Sequence, residues 1–255
     1  MNLALFDLDG TLIPQDSDHA FGEFMIRLGW VDGDRFRQRN DEFYRQYQAG
    51  CLDIHAYVEF ATAPWRARSD AEQGAALLRF MDEVIAPMLH EPARALLRQH
   101  EQAGDRLAIV TATNEFVTQP IARALGVDAL IAVRLERDKQ GRHTGRIDGV
   151  PSFREGKIAR VDEWLATQGM CWSDFDRTVF YSDSTNDLPL LERASEPVAT
   201  NPGAALEAIA LERGWQLELA ALTDLHVGWG LGGWAGVLLA AVAYVVVPMF
   251  QLTPG

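Results

Sequence analysis

Cysteine is scarce in this 255-residue chain. Cys51 and Cys171 stand far apart, with no CxxC spacing and no histidine in a ligand pattern. That excludes a disulfide framework or a zinc-finger-type site and predicts two buried free thiols. Positive charge is also in deficit: 23 Lys and Arg face 36 Asp and Glu, a formal net charge of −13. A nucleic-acid partner is therefore not expected, because phosphate backbones are held by clustered Lys and Arg. The N-terminus has no basic stretch, and Asp7 and Asp9 interrupt any apolar leader, so a cytoplasmic catalytic domain is expected rather than a secreted one. Internal repeats and low-complexity tracts are absent.

One further absence is local. From Val227 to Thr253 there is no charged residue, and "WAGVLLAAVAYVVVPMF" is long enough to cross a bilayer. Against that stand four glycines between Gly228 and Gly233, Pro248, and no flanking Lys or Arg to anchor the segment. A membrane-associated tail over 226–255 and an ordinary C-terminal helix both remain open.

With 48% hydrophobic residues the chain can bury a sizeable core. Short apolar runs read as buried strands: "LALF" before Asp7, "RLAIVTA" around Val110, "TVFYSD" ending at Asp183, and "EPVAT" ending at Thr200. Helical patterns closed by Gly104, Gly126 and Gly169 lie between them. This alternation predicts an α/β fold, a Rossmann-like parallel sheet with helices on both faces. No such strand appears between Pro14 and Pro87. That span is too long for a plain loop, so it reads as a helical insertion. The stretch "VRLERDKQGRHTGRIDGV", with Gly141, Gly145 and Gly149, predicts a small β-hairpin.

The chemistry collects where these strands end, which is where an open α/β sheet presents its ligand crevice. Asp7 and Asp9 follow the first strand, Thr111 the second, and Asp183 and Asp187 the third. Four carboxylates at one sheet edge repel one another and call for a cation, and an all-oxygen set with few protein ligands suits Mg²⁺. A carboxylate just past a buried strand can attack phosphorus once its charge is screened, and a second one two residues on can work as acid and base. Gly10 lets the backbone come close, and Thr11 offers a hydroxyl to orient Asp9. Taken singly, each motif has a plainer reading: a solvated turn for "DLDGT", a helix cap for Thr111, a surface lysine for Lys157, a first-turn acid for Asp187.

Taken in order, "DLDGT", "IVTATN", Lys157 and "YSDSTND" resemble the haloacid dehalogenase superfamily of aspartate-nucleophile phosphatases. The insertion and "VATNPGAALEAIALERGW" look most like its phosphoserine-phosphatase-like branch. The resemblance covers about residues 1 to 220. It implies a core domain over 1–14 and 88–225 and a helical cap over 15–87, inserted after the first strand. It also implies roles: Asp7 as nucleophile, Asp9 as general acid and base, Lys157 as the neutralising cation. Thr111 and the amide of Ala112 would hold the phosphoryl oxygens, with Asn186 as a further phosphate contact or a support behind the residues that touch it. Mg²⁺ would be held by Asp7, Asp9, Asp183 and Asp187. Dehalogenation is disfavoured, since a carbon-attacking relative has no use for an aspartate at Asp9.

The leaving group would be read by the cap. Asp16 or Asp18 stands about where such phosphatases carry an acid for the amino group, and Glu59 falls near the place of their carboxylate-binding arginine. That predicts a cationic or amino-bearing ester, such as histidinol phosphate, phosphoserine or phosphoethanolamine, with the carboxylate of phosphoserine repelled by Glu59. A lipid-linked phosphate ester, motivated by the tail, and a catalytically idle scaffold are the other readings.

Overall fold

A computed structural model of the chain describes residues 1–218; the apolar tail over 226–255 lies outside them. The elements run β1 (Asn2–Phe6), α1 (Ser17–Arg27), α2 (Gly33–Gln48), α3 (Ile54–Arg66), α4 (Asp70–Phe80), α5 (Glu91–Gln102), β2 (Arg106–Asn114), α6 (Glu115–Leu125) and β3 (Leu130–Val133). They continue as β4 (Leu135–Arg137), β5 (His143–Ile147), α7 (Glu155–Thr167), β6 (Arg177–Ser182), α8 (Leu188–Arg193), β7 (Glu196–Thr200), α9 (Ala204–Arg213) and β8 (Gln216–Glu218). Among the described residues no helix is long and apolar enough to cross a membrane.

Six strands pair in the order β3-β2-β1-β6-β7-β8, every pair parallel. Strand side chains alternate between faces, and β1 shows the consequence: Ala4 and Phe6 enter one apolar cluster, Leu3 and Leu5 the other. The first cluster is covered by α5 and α6 through Leu97, Val117 and Ile121. The second is covered by α7, α8 and α9 through Val161, Leu190 and Leu206. Both faces are buried, so β1 reads as an unbroken apolar run.

β1 lies between β2 and β6, and the strand order proceeds outward from it in both directions. This is the topological switch point, which opens a crevice at the strands' C-terminal ends. Phe6 sits level with Ile109 of β2 and Tyr181 of β6, so the residues next along all three strands meet at that edge.

Four helices, α1 to α4, stand between β1 and α5. Side-chain oxygens cap each one: Asp16 accepts from His19 N, Asp32 from Arg35 N, Asp53 from His55 and Ala56 N, and Ser69 forms a reciprocal box with Glu72. Their aromatic faces join the first apolar cluster through Phe21, Phe24 and Phe80. The end of α3 is pinned: the Trp65 ring stacks on Phe116 at 4.0 Å, and Arg66 donates to Thr144 O at 2.7 Å on the hairpin β4–β5.

One expectation needs correction. Cys51 and Cys171 are exposed rather than buried, because they flank helices in polar loops. Strands β3 and β8 carry no clear pattern of their own; each is a short edge strand held by one neighbour, β2 or β7.

Candidate active site

Asp7 continues β1 by one residue, its N–H donating to Tyr181 O at 2.9 Å, and its side chain is almost fully buried. The Lys157 ammonium, from the first turn of α7, donates to Asp7 Oδ1 at 2.9 Å and to Asp187 Oδ2 at 2.7 Å. The Ser182 hydroxyl also donates to Asp187 Oδ2, at 2.7 Å. Burial pushes the Asp7 carboxyl up to about 7 against the pull of Lys157, with Asp187 and Asp9 adding to the rise. Burial works against the Lys157 charge, but Asp187 and Asp7 outweigh it and hold its pKa above the usual lysine range. Removing either partner would leave a charge in low dielectric without compensation.

Asp9 is held by two donors, Ser17 N at 2.7 Å and the Thr113 hydroxyl at 2.9 Å. Burial and then the neighbouring Asp16 raise its carboxyl to about 7. The expected partner Thr11 does not serve: its hydroxyl is buried and unpaired among the described residues. Gly10 follows Asp9 with φ +75°, and a Cβ there would stand 2.2 Å from Asp183 Oδ2. Only glycine lets Asp183 close on this edge. Burial, then Asp7 and Asp187, push the Asp183 carboxyl well above its ordinary value.

Thr111 is buried near the end of β2, which runs on to Asn114, the residue that caps α6. Thr111 and Ala112 line the same cavity as Asp7, Asp9 and Asp183. The helices supply the rest of its wall. The cavity, of about 550 Å³, is bounded on that side by Asp16, Asp18, His19 and Glu23, by Phe43, Tyr44, Tyr47 and Tyr57, and by Leu52 and Ile54. Among the described residues no arginine or lysine lines it. Asp18 is 6% exposed, takes a bond from Asn114 Nδ2 at 3.2 Å, and lies beside the Tyr57 hydroxyl. Burial, then Asp16, raise the Asp18 carboxyl to about 7.

Two expected site residues stand elsewhere. Glu59 is exposed, because α3 buries Ile54, Val58, Ala61 and Trp65, and a residue one step past Val58 is turned by about 100°. Asn186 is buried but outside the cavity lining; its amide donates to Tyr47 O at 2.9 Å and so ties the 3₁₀ turn before α8 to α2.

Among the described residues no three Asp, Glu, His or Cys side chains converge as a preformed metal cage. Ser17 and Thr113 take both oxygens of the Asp9 carboxylate, and Lys157 and Ser182 share one oxygen of Asp187. Asp7, through the oxygen that Lys157 leaves free, and Asp183 remain, an all-oxygen pair with charge in excess of the single lysine. That fits Mg²⁺, which keeps several waters and takes one or two carboxylates together with substrate phosphate oxygens.

The description for haloacid dehalogenase-like hydrolases matches residues 4–192. A histidinol-phosphatase of Neisseria meningitidis is 46% identical over 84% of this chain and 96% of its own length. The chain belongs to the haloacid dehalogenase-like hydrolases. Within that family it is a phosphatase. It is also 32% identical, over 94% of this chain, to the phosphoserine phosphatase SerB1 of Mycobacterium tuberculosis, 79% of which is covered. A crystal structure of a protein of unknown function from Bordetella pertussis Tohama I superposes with TM-score 0.80 at 49% identity, covering 85% of this chain and 97% of that one. A substrate-bound phosphoserine phosphatase shares the fold, with TM-score 0.58 at 18% identity over 81% of this chain and 89% of the other. Reading this hydrolase as an idle scaffold is therefore set aside.

Sequence reasoning missed three side chains of this phosphatase that hold others in place: Thr113 on Asp9, and Asn114 and Tyr57 on Asp18. Thr113 and Asn114 lie within the quoted "IVTATN" and were legible as polar residues ending a buried strand. Tyr57 was legible only through helix phase, one turn before the buried Ala61.

Proposed function

We propose that this phosphatase is Mg²⁺-dependent, works through an aspartyl phosphate on Asp7, and hydrolyses small phosphomonoesters whose leaving group is cationic and lacks a carboxylate, with histidinol phosphate the leading candidate. The observation that carries this reading is the cavity beside Asp7: its wall bears Asp16, Asp18 and Glu23 among tyrosines and no lysine or arginine among the described residues. A leaving-group ammonium meets favourable charge there, and the carboxylate of phosphoserine meets none. The likeness to a histidinol-phosphatase supports the same substrate.

In this reading residues 15–87 are a cap domain over the sheet edge, keeping water from the nucleophile. The Asp7 carboxylate attacks phosphorus, and the ester P–O bond breaks. Asp9, oriented by Ser17 and Thr113, gives its proton to the departing alkoxide, and its raised pKa suits that task. Asp9 then takes a proton from water, whose oxygen attacks the aspartyl phosphate; inorganic phosphate leaves and Asp7 is regenerated. Lys157 offsets the charge of Asp7, while the Thr111 hydroxyl and Ala112 N–H hold phosphoryl oxygens. Asp7, Asp183 and the Asp9 backbone carbonyl would hold Mg²⁺, which when bound screens the phosphate charge from the attacking carboxylate. Asp187 acts by positioning Lys157.

The test is phosphate release from histidinol phosphate, phosphoethanolamine and phenyl phosphate, with Mg²⁺ and with a chelator. Release that needs the metal and is fastest from an amino-bearing ester is expected. Release indifferent to chelator overturns the metal, and a preference for phenyl phosphate overturns the cationic leaving group.

A further inference from the structure

The proposed cationic leaving group leaves open how many positive charges the cavity reads, and two acids of the α1 start divide that task. Asp16 lies toward the reacting end: its charge is felt by Asp9, whose carboxylate is bonded to the N–H of the very next residue, Ser17. One oxygen of Asp16 also caps the helix through His19 N at 2.8 Å. Asp18 lies farther on. It is nine-tenths buried, lines the cavity, and has no cationic partner among the described residues. A neutral donor fixes it, Asn114 Nδ2 at 3.2 Å, and the Tyr57 hydroxyl of α3 lies beside it. Asn114 ends the phosphate-side strand β2 and caps α6 through Val117 N, so it ties Asp18 rigidly to the strand that carries Thr111.

We propose that Asp18 is a specificity-determining residue that reads a second basic group on the leaving group, with Asn114 and Tyr57 as its positioning residues, so that the preferred substrates are dibasic phosphomonoesters. A neutral donor neither removes the carboxylate charge nor satisfies a buried anion as a cation does. Asp16 takes the first cation, beside the phosphate, and a single-ammonium ester leaves Asp18 unmatched. The inference rests on the cationic-leaving-group reading above.

The experiment compares kcat/KM at pH 6.5 for histidinol phosphate and phenylalaninol phosphate, which share the ammonium and differ in an imidazole or a phenyl ring. Phenyl phosphate is the neutral reference. The wild-type enzyme is expected to prefer the dibasic ester by about tenfold or more, the factor one matched charge pair supplies. Asp18→Asn is expected to bring that preference within about threefold, mainly through KM, whereas Asp16→Asn lowers both amino esters together. No preference in the wild type overturns the inference, without recourse to any variant, and so does a preference that survives Asp18→Asn. If neither amino ester outruns phenyl phosphate, the reading of the leaving group falls, and this one with it.

Discussion

At the sheet edge Asp7 and Asp187 share the Lys157 ammonium at 2.9 and 2.7 Å, whereas across the cavity Asp16 and Asp18 face no lysine or arginine among the described residues. Both regions bury carboxylates, and both hold them with hydrogen bonds. They differ in who supplies the opposite charge. The edge carries its own lysine and so keeps its geometry ready in the absence of ligand. The helical side leaves its carboxylates without a lysine or arginine among the described residues, and in the proposed reading a substrate that brings a cation gains binding there that no neutral or anionic ester can match. In the proposed reading chemistry resides in the compensated half and selectivity in the uncompensated half.

The sharpest way to break this division is to remove the nucleophile. Asp7→Asn is expected to lower kcat by about 10⁴-fold for every ester, cationic or neutral, in steady-state phosphate release. A loss confined to cationic esters would put selectivity at the edge. Next in size is Gly10→Ala: its Cβ would stand 2.2 Å from Asp183 Oδ2 at a φ of +75°, so Asp183 must move. A displaced group near reacting atoms costs about 10²-fold in kcat. Half-activation is then expected at higher Mg²⁺, and an unchanged metal titration would place Asp183 outside the metal site.

The uncompensated half makes its own prediction in the metal-free, substrate-free enzyme. Asp18 has its carboxyl raised in the fold from 3.8 to about 7, so between those values the native state binds more protons than the unfolded chain. Its contribution to stability is present below that window and is lost as pH rises through it. Urea unfolding at pH 5 and pH 7.5 is expected to show a smaller drop across the window in Asp18→Asn than in the parent; an equal drop would contradict the burial of this charge. The smallest effect belongs to Glu59→Gln. Exposed on α3 and screened by solvent, Glu59 is expected to change kcat/KM for any amino ester by less than about twofold.

The same contrast decides what the sequence disclosed. The edge was legible because its residues are local to strand ends: a buried apolar run, then Asp7 and Asp9, and again Ser182 before Asp183. Strand ends fix direction and position together, so motif order was enough. On the helical side position depends on phase about a helix axis and on which turn a neighbour pins. Glu59 stands one residue past the buried Val58, a rotation of about 100° that turns it to solvent. The contact Asn186 makes was hidden for a related reason: its amide bonds to Tyr47 O, a partner 139 residues away that no local pattern announces. Thr11 and Thr113 exchanged roles likewise, since the hydroxyl that reaches Asp9 arrives from β2 across the sheet edge rather than from the adjoining turn.

The account's central claim, that the helical half selects a cation and rejects a carboxylate, is tested most directly by kcat/KM for histidinol phosphate against phosphoserine on the wild-type enzyme with Mg²⁺. A preference for histidinol phosphate of about 10²-fold or more is the predicted result, one charge gained and one repulsion avoided. Phosphoserine turned over as fast or faster would contradict it.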